Sequence, residues 1–68
     1  MFPKLSDNQT EVMTHVCKNN GTTVSYMMAK VSAYAPGDLM ALVELGMLER
    51  GKLGSYYPTD LAMEWYNR

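Results

Sequence analysis

The sequence predicts an α+β fold, mostly α: three helices, a hairpin of two or three short antiparallel strands, and a short helix at the C-terminus. Three observations carry this. The chain has 68 residues, 47% of them hydrophobic, which suffices for one small core and a single domain over residues 1–68. Up to residue 46, apolar side chains recur at helical spacing, interrupted twice by turn-forming residues. From Met47 the period changes to two short runs flanking Gly51-Lys52-Leu53-Gly54, which signals a β-hairpin.

Taking the elements in order, Ser6 reads as a helix N-cap, and Gln9 three residues later completes a capping box. The first helix runs to about Lys18 with Leu5, Val12, Met13, Val16 and Cys17 on its apolar side, and Asn19-Asn20-Gly21 supplies a left-handed cap. His15 lies beside that stripe as a surface or core-edge side chain. The β-branched Thr22-Thr23-Val24 predicts one brief strand. A second helix over residues 25–33 places Val24, Met27, Met28, Val31 and Ala35 inward and leaves Tyr26, Lys30 and Tyr34 towards solvent.

Pro36 disfavours a helical residue before it and is welcome at a first helical position, so a third helix starts there and extends to Gly46 as its cap. Its core positions are Leu39, Leu42 and Val43, with Leu45 beside the cap, while Met40, Ala41 and Glu44 face outward. Strands follow at Leu48-Glu49-Arg50 and Ser55-Tyr56-Tyr57, Pro58 ends the second, and Thr59 caps a last helix carrying Leu61, Ala62, Trp65 and Tyr66. Most of the seven methionines read as adaptable core filler.

Composition excludes several functions. The lone Cys17 closes no internal disulfide, which points to a reducing compartment, and no apolar run approaches the roughly 18 residues of a membrane span. The N-terminus lacks a secretory apolar region, so the expected location is the cytoplasm, with no membrane partner. Beginning at Met and holding no linker, the chain reads as a complete small gene product. The carboxylates Asp7, Glu11, Asp38, Glu44, Glu49, Asp60 and Glu64 show no paired catalytic spacing, and there is no glycine-rich phosphate loop. His15 and Cys17, two apart, fall on different helix faces. The expectation is a protein that is not an enzyme and uses no metal or cofactor.

The stretch LVELGMLERGKLGSYYPTDLAMEW at 42–65 resembles the winged helix-turn-helix family of DNA-binding transcriptional regulators. The resemblance rests on Leu42, Glu44, Leu45 and Gly46 closing a helix, Leu48 and Arg50 in the next strand, then Tyr56 and Thr59 before a further helix. With the first two helices it covers most of the chain. It implies a sequence-specific regulator, binding double-stranded DNA as a homodimer, with the helix at about 36–46 in a major groove and the hairpin 48–57 as the wing.

The residues this assigns to DNA are Gly37, Met40 and Ala41 on the groove helix and the cations Lys30, Arg50 and Lys52 beside it. Ser25, Ser32, Tyr34 and Ser55 join them as neutral phosphate donors. The chain departs from the family pattern in starting its third helix at Pro36 and in offering no cation on it, and its net charge is −1. Asp38 reads as an acid that stabilises the helix N-terminus. The same apolar and acidic face, Asp38, Met40, Ala41 and Glu44, supports an alternative: a protein–protein interaction module on the same fold. Trp65 and Tyr66 serve either to close the core or to line a dimer seam.

Overall fold

Helix ends set the frame of this fold. In the computed structural model, which describes residues 2–68, helix α1 runs Asp7–Asn19. The Ser6 hydroxyl accepts from the Gln9 amide at 3.1 Å while the Ser6 amide donates to Gln9 Oε1 at 3.0 Å, so the capping box forms as expected. At the far end Asn20 and Gly21 take φ angles of 55° and 124°, and the Gly21 amide returns to the Val16 carbonyl at 2.9 Å. Strand β1, Thr22–Thr23, leads into α2, Val24–Lys30, whose first turn is capped by the Thr23 hydroxyl accepting from the Tyr26 amide. Helix α3, Pro36–Glu44, opens on its proline and has no side-chain cap. Strands β2, Leu48–Arg50, and β3, Ser55–Pro58, precede α4, Asp60–Asn67.

The three strands make one antiparallel sheet in the order β1-β3-β2. Thr22 and Thr23 stand opposite Tyr56 and Ser55 on one side of β3, and Leu48, Glu49 and Arg50 stand opposite Pro58, Tyr57 and Tyr56 on the other. Pro58 closes a central strand without disrupting it because β1 does not reach that far, so its missing N–H leaves no ladder bond unmade.

Helix α1 gives the core Val12, Met13, Val16 and Cys17; α2 gives Met27, α3 gives Leu39 and Leu42, and α4 gives Ala62 and Trp65. Val31, Met47 and Leu48 complete it, and among the described residues no polar or charged side chain is buried. α1 packs against β3 and α4, and α3 lies on β2.

Several expectations are corrected. α2 ends at Lys30, not Ala33, and Val24 opens that helix instead of ending a strand. Val31 turns extended at φ −111°, and the groups just past it find a partner on α1: the Ser32 hydroxyl and Ala33 amide donate to Glu11 Oε2 at 3.2 and 3.3 Å. In so short a helix the inward seam is narrow, and Met28, expected inside, is 69% exposed. Leu45 is likewise exposed, because it lies at the turn past the end of α3. Leu5, Val24, Ala35, Val43 and Leu61 are half-buried, as are Tyr34 and Ala41, which were expected to face out. Of the pair expected in the last helix, Trp65 closes the core and Tyr66 is exposed.

Thr59 fastens the two ends of the hairpin region together. Its hydroxyl caps α4 by accepting from the Ala62 amide at 3.2 Å and donates to the Gly46 carbonyl, while its own amide donates to the Met47 carbonyl at 3.2 Å. Gly46, at φ 81°, ends α3, and the following Met47 amide reaches back to the Leu42 carbonyl at 3.0 Å. On the sheet, the Tyr57 ring lies over two glycines: a Cβ at Gly51 would stand 2.5 Å from it and one at Gly21 2.6 Å.

Thr59→Val, which keeps the shape and deletes both hydroxyl bonds, is expected to lower the unfolding free energy by about 1–2 kcal/mol in urea denaturation, and Thr59→Ser to keep most of it. Gly51→Ala is expected to cost about 1–3 kcal/mol through overlap with Tyr57, and to become nearly neutral in a Tyr57→Ala background, as a double-mutant cycle will measure.

Candidate nucleic-acid interface

The hairpin turn is built from Gly51, Lys52, Leu53 and Gly54, all four exposed. The Gly51 amide donates to the Ser55 carbonyl at 2.8 Å, and the Ser55 amide donates to the Lys52 carbonyl at 3.1 Å. Leu53 and Gly54, between the latter pair, take φ of 56° and 74°, the pattern of a type I′ turn that suits the twist of antiparallel strands. Arg50 ends β2 and is exposed, Lys52 is exposed in the turn, and no acidic residue occurs between Glu49 and Asp60. A protein of net charge −1 thus carries a locally cationic hairpin.

The start of α2 is tied to this hairpin. Thr23 pairs with Ser55, and the next residue, Val24, donates its amide to the Gly54 carbonyl at 3.0 Å. Ser25, exposed in the first turn of α2, is therefore held beside the hairpin. Ser55 is half-buried at the start of β3. Lys30 is exposed at the opposite end of α2, about 7.5 Å along its axis from Ser25 at 1.5 Å per residue.

The remaining assigned residues divide. On α3, Gly37 is exposed, Met40 is 72% exposed and Ala41 is half-buried. Asp38 is half-buried in the first turn, where its charge meets the positive end of the helix dipole. Ser32 and Tyr34 lie in the connection between α2 and α3, not on a helix. The Ser32 hydroxyl is taken by Glu11, and Tyr34 packs against the core, so these two support the helix connection and are poorly placed as phosphate donors.

No protein-family model, curated protein or solved structure matches the chain.

Other chemistry is sparse. Among the described residues no group of three or more His, Cys, Asp or Glu side chains is placed to hold a metal, and no helix is long and apolar enough to cross a membrane. The Cys17 thiol is buried against the Ala62 carbonyl at 3.7 Å, and burial raises its pKa, which keeps it protonated and weakly nucleophilic. His15 stands beside the exposed Tyr26, with ring centroids 6.4 Å apart. An open hollow of about 310 Å³ lies between α1 and α4, lined by Thr10, Thr14, Trp65, Tyr66 and Arg68. The Arg68 guanidinium covers the Trp65 ring at 5.0 Å and donates to the Trp65 carbonyl.

Leu53 is the residue that sequence reasoning passed over. It is 99% exposed and sits in a left-handed conformation that costs a leucine about 1–2 kcal/mol. The signal was present: an aliphatic residue stands where such a turn favours Asn, Asp or Gly. Replacing it with glycine exchanges that strain for glycine's larger unfolded-state entropy of about 0.5–1 kcal/mol. Leu53→Gly is expected to leave thermal stability unchanged or raise it by up to about 1 kcal/mol, whereas a loss larger than that would show Leu53 packing within the fold.

Proposed function

We propose that this chain is a cytoplasmic winged helix-turn-helix regulator that binds double-stranded DNA as a homodimer, with α3 in the major groove and the β2–β3 hairpin as the wing on the adjacent backbone. The observation that carries the reading is the cationic hairpin that follows α3 and is joined, through the Val24 amide and Gly54 carbonyl, to the start of the α2–α3 pair. The element order α1-β1-α2-α3-β2-β3-α4, with the sheet ordered β1-β3-β2, supports it.

In this reading Arg50, Lys52 and Lys30 neutralise phosphates, and the Ser25 and Ser55 hydroxyls add neutral hydrogen bonds to the backbone. Gly37 allows close approach of α3, and Met40 with Ala41 meets thymine methyl groups. With three cations per protomer the electrostatic anchor is weak, and pairing two protomers on two half-sites doubles it. The chain works by binding, and no catalytic step is assigned to it.

One observation favours a second reading. Met28 and Met40 are the two most exposed methionines of those described, at 69% and 72%, and adaptable apolar side chains of this kind suit a protein partner.

Fluorescence anisotropy with a mixed-sequence duplex separates the two. DNA binding at low salt is expected, with log K falling against log salt at a slope of about −3 for a monomer and about −6 for a dimer, from roughly −0.9 per neutralised phosphate. Lys52→Ala and Arg50→Ala should each reduce that slope by about 1 per protomer. No binding at high micromolar protein would overturn the DNA reading in favour of the protein one.

A further inference from the structure

We propose that Leu53 is an apolar wedge that the wing inserts into the minor groove, prising apart a base step and making recognition depend on how easily the DNA deforms. The inference rests on the DNA reading above and adds to it a mode of sequence discrimination.

Three observations meet at this side chain. Leu53 is the most exposed of the large apolar residues described, at 99%, so it contributes nothing to the core. It occupies a backbone conformation, φ 56°, that disfavours leucine, so the fold neither needs it nor accommodates it well. It is also flanked by cations: Lys52 precedes it, Arg50 lies three residues back, and the segment from Arg50 to Thr59 carries no acid.

The mounting of the turn suits insertion. The Gly51–Ser55 and Ser55–Lys52 backbone bonds close it from below, and the Val24 amide bonds to Gly54 from the side. A single branched side chain on a narrow, braced tip is a convex shape, complementary to a groove only about 6 Å wide. A protein partner would more usually offer a broad apolar surface, and the cations beside Leu53 match the phosphates that line each side of a groove. Apolar residues inserted at base steps unstack them and bend the duplex, which is least costly at pyrimidine–purine steps such as TA and CA. Discrimination by the wing would then come from deformability, which compensates for the scarcity of hydrogen-bonding side chains on the outer face of α3.

The test uses the full chain and short duplexes that differ only at a central TA, CA or AA step. Each carries 2-aminopurine beside that step to report unstacking and a dye pair at its ends to report bending. Wild-type protein is expected to favour TA and CA over AA by about five- to tenfold, with a rise in 2-aminopurine fluorescence and in end-to-end energy transfer. Leu53→Gly should abolish the preference and both signals while leaving the salt slope unchanged, and Leu53→Phe should retain them. Binding by wild type without preference, unstacking or bending overturns the wedge and leaves the DNA reading intact. No binding to any duplex overturns both. If Leu53→Gly also abolishes self-association in sedimentation, the side chain belongs to a protein contact and the wedge is overturned.

Discussion

The buried stripe of α1 is the surface on which the other elements rest. Val12, Met13, Val16 and Cys17 face inward together, and β3 and α4 pack directly against the helix that carries them. In so short a chain this matters more than any single hydrogen bond, because ordering the backbone consumes most of what burial supplies and the surplus is small. The stripe holds its orientation because α1 is fixed at both ends, by the Ser6–Gln9 capping box and by the left-handed turn at Asn20 and Gly21. The same helix sends Glu11 out to the connection between α2 and α3. One helix therefore positions the sheet, the last helix and the turn on which the helix pair depends.

What this fold presents outward is uneven. The net charge of −1 conceals a hairpin tip, from Arg50 onward, with two cations and no acid, beside a helix whose outer face is apolar and acidic. The strain stored in the fold sits at the same place, in the turn at the end of the hairpin and not in the core. Stability and presentation are thus divided between different residues, so the exposed tip is free to vary without reshaping what holds the domain together.

The features legible in the sequence were those decided within a few residues. Ser6 with Gln9, Gly46 and Thr59 each satisfy helix-end groups close by in the chain, and the spacing of side chains alone reveals them. The hairpin was legible because its period differs from that of the helices, and it brought Arg50, Lys52 and Ser55 together on one element. What escaped the sequence was decided across the fold. α2 stops early where the following groups turn to Glu11 on another helix, and that contact also occupies the Ser32 hydroxyl. Ser25 reaches the hairpin through a bond between Val24 and Gly54 that no local pattern announces. The positive φ of Leu53 follows from the register of β2 on β3, which places the tightest part of the turn on a residue unsuited to it.

The position of Cys17 has a practical consequence. Its sulfur lies on the seam between α1 and α4, bonded to the Ala62 carbonyl and shielded from solvent. A thiol reagent can reach it only when α4 lifts from α1 or the whole domain opens, and the protonated state favoured by burial slows any reaction further. The chain thereby carries an internal clock for the breathing of its C-terminal helix, installed without any added label.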